Sequence, residues 1–268
     1  MAQASALLNI MTGAARRAAG KLNRDFGEVE NLQVSKKGPA DFVSAADRKS
    51  EEILVRLLSE SRPGYGFLLE EGGEIKGTDP SHRFIIDPLD GTTNFLHAIP
   101  HFAISIALER KGEIVAGVVY DPIRDEMFRA ERFKGAFLNE RRLEVSARTR
   151  LQDCVLATGI PHLGRPGHAR FLKELHRIAP KVSSVRRFGS AALDLAWLAA
   201  GRYDGYWERD LALWDVAAGV LIAREAGAIV GDDSESDSKA AINPALIIAG
   251  NPNIQPFLKA LLAETAAS

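Results

Sequence analysis

Phe84-Ile85-Ile86-Asp87-Pro88-Leu89-Asp90-Gly91-Thr92-Thr93-Asn94-Phe95 is the segment from which the rest of this chain can be read. The apolar run Phe84 to Ile86 reads as a short strand. Asp87 and Asp90 follow at its end, near enough for both carboxylates to converge on one point, and Pro88 stiffens the turn between them. The Leu89 carbonyl lies between the two acids and offers a further oxygen ligand. Gly91 lets backbone approach a ligand closely. Thr92 and Thr93 read as the start of a short helix, whose first N–H groups favour an anion such as phosphate. Hard oxygen ligands for a cation thus stand beside donors for an anion, a pairing that suits metal-assisted phosphate chemistry. Taken alone, the segment is also what an ordinary Asp-Pro turn leading into a capped helix looks like.

Other acids bear on that choice. Glu70-Glu71 closes the apolar segment Phe67-Leu68-Leu69 before Gly72-Gly73. Asp215 opens an alanine-rich helix in Leu213-Trp214-Asp215-Val216-Ala217-Ala218-Gly219. Each has a plain reading by itself: Glu70 as a solvated loop acid, Asp215 as a helix cap. Asp47 in Ser44-Ala45-Ala46-Asp47 fits a loose capping box, and Asp41 suits a turn.

Further out, Leu7, Ile10, Met11, Ala14, Ala18 and Leu22 recur at helical spacing, and a second helix spans Asp47 to about Ser61. Phe102 to Leu108 and Glu113 to Tyr120 flank Lys111-Gly112 as a hairpin, with a third antiparallel strand from Asp125 to Ala130. The second half alternates. Strands are expected at Val155 to Ala157, Val182 to Phe188, Tyr203 to Glu208 and Ala245 to Ala249. Helices are expected at Ala169 to Ile178, Ser190 to Ala200 and Val216 to Ala226, with a last one capped by Asn251-Pro252. Antiparallel strands therefore dominate the first half and strand-helix alternation the second, which predicts an α+β fold of two sheets layered with helices. No linker separates the parts. The chain reads as one unit, 1–268, whose first half (about 1–148) carries most acid motifs and whose second half (about 149–268) carries the last.

The 268 residues carry 34 Lys+Arg against 35 Asp+Glu, a net charge of -1, which argues against bulk electrostatic binding to nucleic acid. The single cysteine, Cys154, excludes an intrachain disulfide and a thiolate metal site. No long apolar run or secretory leader is evident, so a cytoplasmic location is expected. Asp232 to Lys239 reads as an exposed acidic loop. His101, His162, His168 and His176 have no metal-ligand spacing. Trp197, Trp207 and Trp214 read as core or subunit contacts. From His162 to Arg187 there are seven Lys/Arg and one acid, Glu174, either a solvated helix face or a guide for anions or a partner.

Taken together, the motifs make the chain similar to the inositol monophosphatase family, a branch of the magnesium-dependent, lithium-sensitive phosphatase superfamily. The resemblance spans nearly the whole chain. It rests on Asp41-Phe42-Val43-Ser44-Ala45-Ala46-Asp47, Leu69-Glu70-Glu71-Gly72, Ile85 to Phe95, and Trp214-Asp215-Val216-Ala217-Ala218-Gly219. It implies a layered αβαβα sandwich of the sugar-phosphatase type, with mixed and antiparallel sheets. It implies metal binding by Glu70, Asp87, Asp90, Asp215 and the Leu89 carbonyl, and a water-activating pair, Asp47 and Thr92, with Glu70 in the catalytic set. Gly91 and Thr92 would present N–H groups to the phosphate. Ala191 would contact substrate through its backbone, and Glu208 would accept hydrogen bonds from sugar hydroxyls. Lys36 or its neighbour Lys37 matches a lysine near the site. A homodimer is implied as well.

The donor types agree with magnesium, in two or three ions. Carboxylates and carbonyls without His or Cys suit Mg²⁺ over zinc, and converging carboxylates repel one another without cations. Such ions would activate water and stabilise the leaving oxygen, so direct attack with no phospho-enzyme is expected. The expected substrate is inositol monophosphate or a similar polyol phosphate. Related enzymes act on histidinol phosphate, 3′-phosphoadenosine 5′-phosphate or fructose 1,6-bisphosphate. A reading of another class is a binding protein of transcription antitermination or ribosome biogenesis, with RNA polymerase or other nucleic-acid machinery as partner.

Overall fold

The computed structural model of the chain describes residues 5–28, 34–36, 42–162, 164–232 and 242–266. Asp41, Lys37 and all of the acidic loop beyond Asp232 lie outside them. Helices α1 (Ala6–Phe26) and α2 (Ala45–Ser61) are joined through a small antiparallel ribbon of β1 (Val34–Lys36) and β2 (Phe42–Ser44). Strands β3 (Tyr65–Leu69), β4 (Gly73–Ile75) and β5 (Asp79–Asp90) follow, then the short helix α3 (Thr92–Leu96). Next come β6 (Ala103–Arg110), β7 (Glu113–Asp121), β8 (Glu126–Glu131), β9 (Ala136–Leu138) and β10 (Arg141–Arg142). The second half holds β11 (Val155–Thr158), α4 (His168–Ile178), β12 (Ser184–Arg186), α5 (Ala191–Ala199) and β13 (Gly205–Arg209). It ends with α6 (Leu213–Glu225), β14 (Ile229–Gly231), β15 (Leu246–Gly250) and α7 (Gln255–Ala266).

An eight-stranded sheet runs β10-β9-β8-β7-β6-β5-β3-β4, and a five-stranded sheet runs β12-β11-β13-β15-β14. Side-chain alternation along the strands feeds three separate cores. Phe84, Ile86, Ile104 and Ile106 face α1 and α2, where Leu22, Leu54 and Leu58 meet them. Ile85, Ala107, Val119 and Phe128 face the opposite way, onto α5 and α6, which also cover Tyr206 and Ile247 of the small sheet. Leu156, Trp207 and Ile248 on the outer face of that sheet pack on α4 and α7. The order is therefore αβαβα, as expected. Each fully buried Leu, Ile or Phe contributes about 1.5–3 kcal/mol to holding the layers together. In the middle layer α6 is buried on every side from Val216 to Ala223, so it has no polar face and its small residues let both sheets approach. Among the described residues no helix is long and apolar enough to cross a membrane.

Several expectations need correction. Phe84 to Ile86 is the middle of the twelve-residue strand β5. The large sheet is mixed and mainly antiparallel, as expected, its one parallel pair among the described residues being β3 with β5. Phe67-Leu68-Leu69 is part of that strand rather than a mere approach to Glu70. The strand expected from Val182 to Phe188 is limited to Ser184–Arg186, since only that stretch finds β11 to pair with. Regular helix α7 begins at Gln255, not beside Pro252, although Asn251 does cap it, its side-chain oxygen accepting from the N–H groups of Asn253 and Ile254. At the Lys111-Gly112 hairpin both residues take positive φ, 53° and 81°, the twist that two-residue hairpins prefer.

Candidate active site

The parallel pairing of β3 with β5 builds the first half of the site. With Leu69 opposite Ile86, both strands end at the same edge. The Glu70 N–H donates to the Ile86 carbonyl at 3.2 Å, which sets Glu70 beside Asp87. There the two carboxyl groups are close enough for the Glu70 charge to oppose the ionisation of Asp87 more strongly than any other charge does. Beyond Asp87 the chain turns sharply. Asp87 Oδ1 accepts from the Leu89 N–H at 2.9 Å, and the Pro88 carbonyl accepts from Ser50 Oγ at 3.1 Å. Gly91 then caps α3 at φ 99°, with no room for a Cβ: one would lie 3.0 Å from the His101 carbonyl. The Thr92 hydroxyl donates back to the Leu89 carbonyl at 3.0 Å.

The second half of the chain completes the group. Ser105 on β6 lies opposite Asp87, and its hydroxyl donates to the Trp214 carbonyl at 3.3 Å, docking the first turn of α6 there. Asp215 on that turn accepts from the Ala212 N–H at 2.7 Å. Asp90 is gripped by the start of α5: its Oδ2 accepts from Ser190 Oγ at 2.6 Å and from the Ala192 N–H at 2.8 Å. A helix N-terminus favours such an anion. Asp47, buried in the first turn of α2, stands close enough to Glu70 to oppose its ionisation.

Electrostatics follow from this crowding. Burial, then Asp47, pushes the Glu70 carboxyl up to about 8. Burial and the neighbours Glu70, Asp90 and Asp215 hold Asp87 well above the usual carboxylate range. Asp90 rises to about 7 through burial and Asp215, against the pull of its Ser190 and Ala192 donors. Asp215 rises to about 6, again by burial, tempered by the Ala212 N–H and by Arg165. Among the described residues no lysine or arginine forms an ion pair with Glu70, Asp87, Asp90 or Asp215. Among the described residues the four acids thus share a crowded site with no ion-paired base, Arg165 acting on Asp215 without forming an ion pair. Carboxylates and the Leu89 carbonyl are a hard-oxygen donor set that fits Mg²⁺. Among the described residues no three acids, histidines or cysteines lie at metal-ligand spacing, and Asp90 and Asp215 each accept from a backbone N–H instead.

The expected substrate residues lie on the same side. Glu208, at the end of β13, accepts from the Tyr206 hydroxyl at 2.6 Å and senses Asp215. Ala191 is the first residue of α5, between Ser190 and Ala192, which hold Asp90. Lys36 pairs with Phe42 in the ribbon preceding α2. Three contributors went unassigned at the sequence level. Ser190 is legible in retrospect as an N-cap before an alanine-rich helix. Ser105 and Asn94 carry no local signal. Asn94 donates to the carbonyls of His101 (2.8 Å) and Phe188 (2.7 Å), clamping α3 to the loop before α5. Trp207 is core, while Trp197 and Trp214 are half-buried. The lone acid of the basic segment, Glu174, is buried under Arg170 and Arg209.

Ser190→Ala removes a donor from Asp90 and the cap of α5 together. The expected result is a stability loss of about 1–2 kcal/mol in chemical denaturation and weaker activity. An unchanged denaturation midpoint would contradict the assigned contacts.

Acids at paired strand ends thus face two helix starts and a glycine turn within a layered αβαβα sandwich. The sequence pattern of the inositol monophosphatase family matches residues 3–268. The chain is 58% identical to an inositol-1-monophosphatase of Rhizobium meliloti (strain 1021), over 96% of each chain. It is 41% identical to the Nus factor SuhB of Escherichia coli (strain K12), over 96% of this chain and 95% of that one. The crystal structure of extragenic suppressor protein suhB from Bartonella henselae superposes with a TM-score of 0.92 at 58% identity, covering 96% of this chain and 98% of that one. The chain belongs to the inositol monophosphatase family, in which dependence on magnesium is general.

Proposed function

We propose that this is a cytoplasmic, magnesium-dependent phosphomonoesterase that hydrolyses inositol monophosphate, or a closely similar polyol phosphate, by direct attack of water. The observation that carries this reading is the four-acid group at the Gly91 turn, with no ion-paired base among the described residues. Glu70, Asp87, Asp90, Asp215 and the Leu89 carbonyl hold the magnesium, in two or three ions. When bound, magnesium supplies charge neutralisation and Lewis acidity at the phosphoryl group. The N–H groups of Gly91 and Thr92 receive the phosphate oxygens. Asp47 and the Thr92 hydroxyl orient the attacking water, and Asp47 takes its proton. Glu208 and the Ala191 backbone receive the alcohol, whose hydroxyls suit a carboxylate acceptor. The 58% identity to an inositol-1-monophosphatase supports the substrate class. A homodimer is part of this reading.

The test is phosphate release with Mg²⁺ across inositol 1-phosphate, histidinol phosphate, 3′-phosphoadenosine 5′-phosphate and fructose 1,6-bisphosphate. Preference for inositol 1-phosphate, lost with a chelator, is expected. Preference for another ester reassigns the substrate, and a trapped phospho-enzyme overturns direct attack. The 41% identity to a Nus factor favours a second reading, a binding role in transcription machinery. A chain that complements its own deletion without catalysis would establish it.

A further inference from the structure

The Glu208 carboxylate occupies the space that a side chain at position 159 would need. Strands β11 and β13 run parallel with Thr158 opposite Trp207, so the chain leaves β11 at Gly159 directly beside Glu208. A methyl group on Gly159 would lie 1.7 Å from Oε1, 1.9 Å from Cδ and 2.5 Å from Oε2 of Glu208. Backbone conformation does not call for glycine here, because Gly159 is not among the positive-φ residues. The demand is steric. The carboxylate is held in this place by the fully buried Tyr206, two residues earlier on the same face of β13, whose hydroxyl donates to Oε2 at 2.6 Å, so a side chain at 159 would have to push it off that bond. Gly159 and Glu208 line a small recess that opens to solvent, with Arg165 and Phe171 among its other walls.

We propose that Gly159 is a positioning residue for the reaction. Having no side chain, it lets Glu208, braced by Tyr206, hold its carboxylate at the end of β13 within reach of the Asp215 site, and so sets the preference for hydroxyl-rich phosphate esters. This rests on the reading of Glu208 as the acceptor of substrate hydroxyls. It assigns to glycine 159 and tyrosine 206 a part in specificity rather than in turnover itself.

The experiment compares kcat/KM for inositol 1-phosphate with kcat/KM for phenyl phosphate, which has no hydroxyls to be read. In Gly159→Ala the ratio of the two is expected to fall about 10-fold or more, mainly through KM for inositol 1-phosphate, because a displaced partner leaves hydroxyls unpaired. Glu208→Asp shortens the side chain by one methylene and makes room for the added methyl. In that background the same substitution is expected to change the ratio by less than about 3-fold. Should Gly159→Ala alone unfold, Glu208→Ala is compared with Gly159→Ala/Glu208→Ala, and the two are expected to match in ratio and unfolding temperature. Equal loss on both substrates, no change in ratio, or an undiminished penalty when Glu208 is shortened or removed overturns the proposal. A wild-type enzyme indifferent to the hydroxyls fails the reading of Glu208 itself, and the inference with it.

Discussion

Asp90→Asn lowers Mg²⁺-dependent phosphate release by about 10²–10³-fold or more while the protein stays folded. The substitution keeps shape and removes charge. Asp90 Oδ2 accepts from both Ser190 Oγ and the Ala192 N–H, so the asparagine must turn its oxygen to them. Its NH₂ group is then forced towards Asp215 and the other acids, placing a donor where a cation needs an oxygen. Stability should move the other way. Asp215 and burial oppose the Asp90 charge in the metal-free protein, so the variant unfolds at a higher temperature than wild type in chelator. Phosphate-release kinetics and thermal unfolding, each with chelator or Mg²⁺, check both halves. Near-normal turnover with a raised unfolding temperature would remove Asp90 from the metal set. The same variant separates the two functional readings, since a binding role survives it in complementation.

In chelator, thermal stability falls as pH rises from about 5 to about 8, and Mg²⁺ restores it more at the upper end than at the lower. The direction follows from where protons sit. Glu70, Asp90 and Asp215 titrate in the folded chain at about 8, 7 and 6, and Asp87 is also raised, whereas unfolded carboxyls lose their protons near about 4. Between those limits the folded state binds more protons than the unfolded one. Its advantage is therefore full below the unfolded value and is lost as pH climbs through the folded ones. Glu208, raised to about 7, and the buried Asp194 act in the same sense. His101, lowered to about 4 by burial and Arg124, acts oppositely below about pH 6.5, one group against six. At low pH, Mg²⁺ must displace protons to bind, so its stabilisation shrinks there. Unfolding temperatures across this range settle the matter. A rise with pH in chelator, or an Mg²⁺ shift independent of pH, would contradict the acid assignments.

Local chemistry made much of this legible. Asp87 to Asn94 displays its turn, its glycine and its helix start within eight residues, so short-range rules suffice. The Lys111-Gly112 hairpin and the amphipathic α1 were readable for the same reason. What escaped was non-local. Phe67-Leu68-Leu69 is too short to declare itself a strand, and nothing near it tells that it runs parallel to β5. Yet that pairing is what seats Glu70 against Asp87. The Ser105–Trp214 hydrogen bond joins residues 109 positions apart, and Ser190 reaches Asp90 across 100. Contacts of that span leave no periodicity in the sequence; the motifs supplied the list of acids, and tertiary pairing alone supplied their meeting.

Asp215 is delivered by α6, which threads between the two sheets late in the chain. The last of the four acids therefore joins the group only after four fifths of the chain has been made. Up to that point Ile85, Val119 and Phe128 of the large sheet have only α5 of the two helices that cover them. A chain ending before α6 would lack both Asp215 and a helix of the layer between the two sheets.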